Sequence, residues 1–483
     1  METVLLYVLG VAIIVVGLVL SVGLHELGHM IPAKRFGVKV GQYMIGFGPT
    51  LWSRRFGETE YGIKAIPLGG YISMAGMFPP GKVRANDARR AGSFDSELEL
   101  ELVEGDLHDS ADDARVRSNQ QAEAARRPRM DSTGLFNVLV QDARDSSAKT
   151  IAPGDEERVF YKLPSWKRII IMLGGPVMNL IIAVVVWGIV LCGFGVPSAT
   201  TTIGTVSQCV LPASSTRTSC DSGDQAAPAN AAGLKPGDKI ISIDGAAVSS
   251  WDDETRAIRA AAGETVDVVI ERDGERITKQ VTPIRSTVTV TDDYGNPVVG
   301  ADGKNETITA GFIGIGPAQA VVQQPVTAVL PMVGNNIQRV AGIILNLPQR
   351  LVATAQAAFG GGKRDPNGPI SVVGVGRLAG EVTSLNSVPI AERMSVDLQI
   401  VAQLNVALFV FNLIPLLPLD GGHVLGAIIE AVRRRFAKWF KRPDPGPVDM
   451  AKLVPLTLLV VAILGGMSLL LIYADIVNPI SIQ

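Results

Sequence analysis

The chain has 483 residues, which is long enough for several domains, and 47% of them are hydrophobic. Together with a mean hydropathy of +0.28, this composition is high for a soluble protein and favours a membrane protein. The formal net charge of −2 says nothing about nucleic acid, and no long basic tract argues for it, so we expect no nucleic acid among the partners.

The N-terminal apolar run, residues 4–33, is predicted to be a retained membrane-spanning helix. It is too long for a signal peptide, no Lys or Arg precedes it, and no small-residue cleavage site follows it. Further apolar segments follow along the chain at 169–196, 406–429 and 453–473. The segment 406–429 is interrupted by Pro415, Pro418 and Gly421-Gly422, so we expect a broken helix there.

The motif His25-Glu26-Leu27-Gly28-His29 follows directly on the apolar part of the first helix. Residues four apart share one helix face, so both imidazoles can bind one metal ion while Glu26 reaches water on that ion. This is the H-E-x-x-H arrangement of zinc hydrolases. The alternative is two helix histidines satisfied by polar neighbours. Charged groups in a spanning helix cost about 2.5–3.5 kcal/mol each, so such a cluster rarely persists without a function.

Two loop segments separate the first helix from the second. Residues 46–77 contain short alternating apolar stretches punctuated by glycines, which predict a β-hairpin or small sheet. An ordinary juxtamembrane hairpin is the alternative. Residues 79–154 are rich in charged and small polar residues and nearly lack aromatics, which predicts a mostly disordered cytoplasmic insertion with a solvated His108.

Residues 200–320 are predicted to form a soluble β-rich domain. The segment 233–245, GLKPGDKIISIDG, resembles part of a PDZ domain. Ser250 is the predicted N-cap of the helix that follows, and Asp273-Gly274 is the predicted turn between two strands.

Two cysteines and one amphipathic segment complete the part predicted to lie outside the membrane. Cys209 and Cys220 lie at the ends of a short loop. They could form a disulfide or remain two free thiols, and the sequence leaves both alternatives open. Residues 325–358 keep apolar side chains at helical spacing among polar ones, which favours an amphipathic helix on the outer membrane surface over a span.

A catalytic zinc site needs a third protein ligand, with one position left for water. Asp420 is the candidate, because a carboxylate in an apolar segment needs a partner and offsets the charge of a metal ion. The adjacent prolines and glycines predict unwound backbone, which is tolerated at membrane depth only where it is buried in protein or lines a cavity. His423 is the competing ligand, and residue chemistry alone leaves both open.

Clusters of Lys and Arg predict the orientation in the membrane. They follow the first helix, precede the second and follow the broken one, and all can lie in the cytoplasm under the positive-inside rule. The N-terminus, residues 197–400 and the C-terminus then lie outside, with the metal site in the membrane toward the cytoplasmic side.

These motifs together resemble those of the site-2 proteases, intramembrane zinc metalloproteases, and in particular the bacterial PDZ-containing branch that includes the regulator-of-sigma-E proteases. Residues 25–29 match the first-helix motif, 175–179 match G-P-x-x-N, and 412–422 match N-x-x-P-x-x-x-L-D-G. The resemblance implies that Asp420 is the third ligand and that Asn412 helps to bind the substrate or the reacting oxygen. The large insertion and the single evident PDZ repeat are departures from some relatives.

The resemblance also implies the remaining site and partners. One Zn²⁺ per chain would be held by His25, His29 and Asp420, with Glu26 as the catalytic base. The β region is similar to a membrane-associated β region, whose strands offer an edge for an opened substrate segment. We assign this role to Gly69, Gly70 and Tyr71. Expected partners are membrane lipid and single-pass membrane proteins such as anti-sigma factors already trimmed by another protease, or signal-peptide remnants.

The expected fold is a polytopic α-helical membrane protein of the bacterial plasma membrane. It has about four transmembrane helices, a membrane-associated β-hairpin region and an extracytoplasmic β-rich PDZ domain. The predicted domains are 1–36, first transmembrane helix; 37–78, β region; 79–163, disordered insertion; 164–196, second transmembrane helix; 197–320, PDZ-like domain; 321–395, amphipathic helix and linker; 396–432, third transmembrane segment; 433–449, basic cytoplasmic loop; and 450–475, fourth transmembrane helix.

An intramembrane protease that performs regulated proteolysis is the leading hypothesis for function. The first alternative is a catalytically idle membrane scaffold that binds partners through its PDZ domain, which the intact Glu26 argues against, because scaffolding needs no general base. A zinc transporter is a third hypothesis, weakened by the single metal cluster and the lack of a polar chain across the membrane.

Overall fold

The structure is a computed structural model that describes residues 2–79, 132–210, 219–221, 223–289, 306–360, 362, 364–365 and 368–480. The helices are α1 (Glu2–Arg35), α2 (Ser132–Lys149), α3 (Ser165–Gly188), α4 (Pro228–Ala231), α5 (Trp251–Ala260), α6 (Val329–Leu345), α7 (Leu347–Gly360), α8 (Val372–Thr383), α9 (Ile390–Asn412), α10 (Asp420–Trp439) and α11 (Val454–Val477). The strands are β1 (Val40–Phe56), β2 (Thr59–Met74), β3 (Val196–Val206), β4 (Lys239–Ile243), β5 (Ala246–Ala247), β6 (Val266–Arg272), β7 (Glu275–Val281), β8 (Ile284–Thr289), β9 (Thr307–Phe312) and β10 (Ile315–Val322).

The chain divides into two compact units. We call Met1–Val190 together with Val326–Gln483 the helical unit, and Leu191–Pro325 the β unit. Among the described residues, five helical segments are long and apolar enough to cross a membrane: Glu2–Arg35, Ser165–Phe194, Val326–Leu345, Ile390–Asn412 and Met450–Val477. The expected polytopic α-helical membrane protein is therefore confirmed, with one candidate span more than the four expected.

The additional candidate lies where an amphipathic surface helix was expected. It combines apolar residues with polar ones such as Asn335 and Gln338, so its composition is compatible with an amphipathic surface helix and with a membrane span. In the structure α6 buries Val329, Val333 and Asn336 and packs against α3 and α9. The helix therefore buries one face against the helical unit.

The broken segment forms two separate helices. α9 ends at Asn412, α10 begins at Asp420, and the connection 413–419 contains Pro415 and Pro418. A proline lacks the backbone N–H that an α-helix needs, so the chain unwinds here as the sequence predicts. The unwinding places Asp420 at the first turn of a helix.

Residues 132–163 differ from the expectation of a disordered insertion. Ser132–Lys149 forms α2, and Arg144 of this helix pairs with Asp449. Phe160 is buried with Met30 and Met74 in a hydrophobic cluster, and its backbone N–H donates to the Ala75 carbonyl at 2.9 Å. These contacts order a segment whose composition looked disordered. The rest of the predicted insertion, 80–131 with His108, lies outside the described residues.

The expected β region is confirmed as a bent antiparallel hairpin of β1 and β2. Residues in the first half of β1 pair on both sides, so that Met44 is paired with Tyr71 and with Gly62. Gly46, with a positive φ of 92°, lies at the bend, where a side chain would collide with the Ile66 carbonyl. Among the described residues, the stretch 70–74 pairs only with β1 and is therefore an edge of this small sheet.

The β unit contains a sheet of strand order β10-β3-β4-β6-β7, with β5 beside β4, and a separate β8-β9 pair. Its core is built from branched aliphatic side chains, including Ile203, Ile240, Ile243, Ile258, Val268 and Ile270. The Ser250 side chain accepts a hydrogen bond from the Asp253 backbone N–H and caps α5 as expected. Asp273 and Gly274 turn the chain between β6 and β7, and Cys209 is joined to Cys220 by a disulfide.

Candidate metal centre and active site

Two histidines and a glutamate lie on one helix of the helical unit. His25 and His29 are one helical turn apart on α1, and their Nε2 atoms are 3.2 Å from each other. The His29 and Glu26 side chains are buried, although the segment before them presents apolar side chains outward along the helix. Both imidazoles therefore direct the same ring nitrogen to one point.

Asp420 brings a third ligating atom to that point from a different helix. Its Oδ2 lies 3.3 Å from Nε2 of His25 and 3.3 Å from Nε2 of His29. Tetrahedral ligands at about 2.0–2.1 Å from zinc lie about 3.3–3.4 Å from one another, so the three separations match one face of such a tetrahedron. The same Oδ2 is buried and has no hydrogen-bond partner among the described residues. The donor set and its spacing thus fit zinc.

His423 lies one turn after Asp420 on α10, is half-buried and is outside this cluster of three ligating groups. The geometry therefore favours Asp420 over His423 as the third ligand. Asn412 is the half-buried last residue of α9, and the connection 413–419 separates it from Asp420.

Helix α3 packs against α1 closely enough to contact both imidazoles. His29 donates a hydrogen bond from Nδ1 to the Ile171 carbonyl at 2.7 Å, and His25 Nδ1 lies 3.1 Å from Nδ2 of Asn179. Glycines permit this approach: a Cβ on Gly28 would collide with the backbone of Gly174. A Cβ on the neighbouring Gly175 would collide with both histidine rings. The sequence motif G-P-x-x-N identified this helix, but it did not predict that Asn179 contacts His25.

Buried charges hold α10 against α3 and so fix the position of Asp420. Glu430 of α10 is fully buried and pairs with Arg168 of α3. It also pairs with Arg434 at 3.2 Å and accepts a hydrogen bond from the Val448 backbone N–H at 3.0 Å. Removing one partner of a buried ion pair costs about 3–5 kcal/mol, so this pairing strongly favours one arrangement of the two helices. Sequence reasoning missed it, because the partners are far apart in the chain.

The edge stretch of β2 lies directly against Glu26. A Cβ on Gly70 would lie 3.0 Å from Glu26 Cγ, and the Ile72 backbone N–H donates a hydrogen bond to the Glu26 carboxylate. Gly69 has a φ of 133°, and Tyr71 pairs with Met44 of β1. Of the predicted substrate-strand residues, Gly70 thus lies against Glu26, and Gly69 and Tyr71 are its neighbours in the strand.

The sequence matches a known protein family over most of its length. A family model described as Peptidase family M50 matches residues 13–442. The zinc metalloprotease Rip1 of Mycobacterium tuberculosis is 31% identical and covers 99% of each chain. The regulator of sigma-W protease RasP of Bacillus subtilis is 28% identical over 85% of this chain and 87% of its own. The metalloprotease MmpA of Caulobacter vibrioides is 26% identical over 89% and 86%.

These matches agree with the chemistry of the site. Two imidazoles and a carboxylate converge with the spacing of a zinc site, and the Glu26 carboxylate lies on the same helix turn. The helix that carries both histidines is long and apolar enough to cross a membrane. The family match and the 31% identity over 99% of both chains extend beyond these motifs. The chain therefore belongs to peptidase family M50, the site-2 protease family, and is an intramembrane zinc metalloprotease.

Proposed function

We propose that the chain cleaves single-pass membrane proteins within the bilayer, with His25, His29 and Asp420 holding one zinc ion and Glu26 acting as the general base. The observation that carries this proposal is the convergence of the three ligating atoms at 3.2–3.3 Å from one another beside Glu26. Zinc bound there would activate water and polarise the scissile carbonyl.

Two further side chains are proposed to carry out proton transfer and stabilisation of the negatively charged oxygen. Glu26 would accept a proton from the attacking water and pass it to the leaving amine. One carboxylate can do both if it lies within hydrogen-bond reach of the water and of the amine. Asn412 would donate a hydrogen bond to the oxygen that becomes negatively charged. Asn412 lies at the end of α9, before the unwound connection to Asp420, and this location supports its assignment.

A substrate helix must unwind before its peptide bonds can reach Glu26, because its carbonyls are occupied by intrahelical hydrogen bonds. The opened segment would pair with the edge stretch 70–74 as an added strand, which would supply new backbone hydrogen bonds. The contact between Gly70 and Glu26 would bring such a segment to the base.

An apolar groove supports the proposal of a membrane-embedded substrate. The groove has a volume of about 500 Å³ and is lined by α1, α3 and α9, including Leu9, Leu20, Leu24, Ile182 and Leu398. Leu24 immediately precedes His25, so the groove extends along α1 to the first ligand. We propose a substrate transmembrane helix as its occupant, because polar side chains could not fill such a lining favourably.

One relative is named as the regulator of sigma-W protease. We therefore propose regulators of sigma factors, such as anti-sigma factors already trimmed by another protease, as one substrate class and signal-peptide remnants as a second. We also propose that the β unit lies outside the cytoplasm, as the Lys and Arg clusters indicate. Labelling of engineered cysteines from outside intact cells should mark 230–285 and spare 433–442, and the reverse pattern would contradict this orientation.

The β unit carries a groove suited to an extended chain end. It has a volume of about 460 Å³ and lies between α5, with Thr255 and Arg259, and the turn Gly311–Ile315. We propose that it recognises trimmed substrates, with Arg259 near the terminal carboxylate. Arg259→Glu should weaken the preference for trimmed over untrimmed substrates in cells. Arg256→Glu, on the exposed face of the same helix, is the matched control, and equal preferences in the two variants would contradict the proposal.

Membrane proteomics of cells that carry either the unaltered chain or Glu26→Gln would test the proposed function. We expect single-pass membrane fragments to accumulate in Glu26→Gln, because their cleavage needs the base. Glu2→Gln, at the exposed start of the same helix, is the control. Identical fragment populations in Glu26→Gln and the unaltered chain would favour the idle scaffold instead.

A further inference from the structure

The two histidines differ in the partner that α3 offers to Nδ1, the ring nitrogen not directed at Asp420. For His29 the partner is the Ile171 carbonyl at 2.7 Å, which can only accept a hydrogen bond. His29 therefore carries its proton on Nδ1 and keeps the lone pair of Nε2 free. For His25 the partner is the amide of Asn179, at 3.1 Å, which offers a donor on one side and an acceptor on the other.

The tautomer of His25 decides whether it can bind a metal ion. An imidazole that binds through Nε2 must carry its proton on Nδ1, and Nδ1 then needs an acceptor. The Asn179 amide can supply that acceptor if it presents Oδ1 rather than Nδ2. Rotation by 180° about its Cβ–Cγ bond exchanges the two atoms without moving the rest of the side chain.

The surroundings of Asn179 permit this rotation. The residue is 1% exposed, so water does not compensate a missing hydrogen bond. Its Oδ1 is buried and has no hydrogen-bond partner among the residues that the structure describes. In either orientation the amide makes one hydrogen bond with His25 Nδ1 and leaves its other end without a partner, so the rotation costs no hydrogen bond. Metal binding through Nε2 of His25 puts the proton on Nδ1 and thereby selects the orientation in which Oδ1 accepts it.

We propose that Asn179 is a positioning residue that presents Oδ1 to His25 and thereby holds the tautomer whose Nε2 binds zinc. The inference rests on the ligand role proposed for His25. Helix α3 then orients both imidazoles, one through a fixed backbone carbonyl and one through a rotatable amide. Outer partners of this kind typically contribute about 10–100-fold to metal affinity.

Competition between the purified full-length protein and a zinc chelator would measure this contribution. Asn179→Leu removes donor and acceptor at similar size, and we expect zinc to bind about 10–100-fold more weakly. Asn179→Asp supplies only acceptor oxygens, so its affinity should equal or exceed that of the unaltered protein. Val177→Ala, on the exposed side of the same helix, is the control. Unchanged affinity in Asn179→Leu, or equal losses in Asn179→Leu and Asn179→Asp, would overturn the proposal.

The tautomers provide a readout that is independent of activity. The chain has four histidines, so ¹⁵N-histidine NMR can distinguish the rings, and His25→Gln assigns His25. After zinc removal, we expect Nδ1–H of His25 to remain dominant in Asn179→Asp and to decrease in Asn179→Leu, with His29 unchanged because Ile171 still accepts its proton. An Nδ1–H population of His25 that is the same in both variants as in the unaltered protein would contradict the proposal.

His25→Ala separates this inference from the proposed function. If His25→Ala retains zinc, the ligand assignment fails. If it loses zinc while Asn179→Leu retains full affinity, only the role of Asn179 fails.

Discussion

The helical unit and the β unit each contain an aspartate whose carboxylate is enclosed by protein, but the two carboxylates differ in their hydrogen bonds. In the β unit, Asp238 is 1% exposed and accepts hydrogen bonds from Arg272 Nε at 2.6 Å, Arg272 Nη2 at 2.7 Å and the Lys235 backbone N–H at 2.8 Å. Burial would raise the pKa of Asp238, but these hydrogen bonds outweigh burial and lower it. In the helical unit, Asp420 Oδ2 faces two imidazole nitrogens at 3.3 Å and has no hydrogen bond among the described residues.

This difference is the one expected between a structural carboxylate and the carboxylate proposed to bind a metal ion. Protein donors reach both oxygens of Asp238, so this carboxylate contributes to the stability of its unit. Asp420 keeps a lone pair directed at a point shared with two other ligating atoms, which is the arrangement that a cation completes. Substitutions in each unit can therefore test whether the two roles are separate.

The largest effect is expected from the metal ligands. Asp420→Ala or His25→Ala should reduce zinc from about one ion per chain to background and abolish proteolysis, because two ligands cannot hold a catalytic zinc ion. Metal analysis of the purified protein would measure this. Asp238→Ala should keep zinc, and His423→Ala is the control within α10. If His423→Ala loses zinc while Asp420→Ala retains it, the ligand assignment is wrong.

Glu26→Gln should separate metal binding from catalysis. The amide cannot accept the proton from water, so we expect cleavage in proteoliposomes to fall by about 10²–10⁴-fold with zinc content unchanged. The measurement is the initial rate on a single-pass substrate, normalised to bound zinc. Glu2→Gln should cleave at the unaltered rate. A Glu26→Gln rate close to that of the unaltered chain would exclude the proposed base.

Gly175→Ala tests whether the contact between α1 and α3 shapes the site. The added methyl group would collide with both imidazole rings, so zinc affinity should fall by about 10–100-fold or more. Gly188→Ala is the matched control on the same helix, because its added methyl group meets no atom of the described residues within 4 Å. Chelator competition would measure both. Equal affinities would indicate that the helices move apart at little cost.

Glu254 in the β unit is a third kind of buried carboxyl and should produce the smallest effect. It is fully buried, neither oxygen has a hydrogen-bond partner among the described residues, and burial raises its pKa to about 8. Because the folded state binds the proton more tightly than the unfolded state, stability should fall as pH rises from the unfolded pKa, about 4.3, to about 8. A shift of this size corresponds to a decrease of at most about 5 kcal/mol.

Glu254→Gln removes this ionisation and should flatten the pH dependence. Hydrogen exchange of β4 and β6 in the full chain at pH 5 and pH 9 would measure the change. We expect Glu254→Gln to be more protected than the unaltered chain at pH 9 and similar at pH 5. Glu264→Gln, on the exposed surface of the same unit, should behave like the unaltered chain at both values. A pH dependence that persists in Glu254→Gln would assign it to another group.

Local patterns were sufficient for several elements. The cap at Ser250 and the turn at Asp273-Gly274 follow from side-chain and backbone preferences of neighbouring residues, and the structure has both. The order of α2 and the burial of Phe160 did not follow, because composition does not show which distant residues a segment will meet. The burial of one face of α6 was missed for the same reason.

The sequence by itself determined that His25 and His29 share one face, because helix periodicity fixes the spacing of residues four apart. It also determined that the chain unwinds before Asp420, because prolines cannot continue a helix. Only the tertiary structure placed Asp420 at 3.3 Å from the imidazole of His25, brought Asn179 to the same ring and set Gly70 against Glu26. These contacts join residues far apart in the chain, and their distances depend on how closely glycines and buried ion pairs let the helices approach.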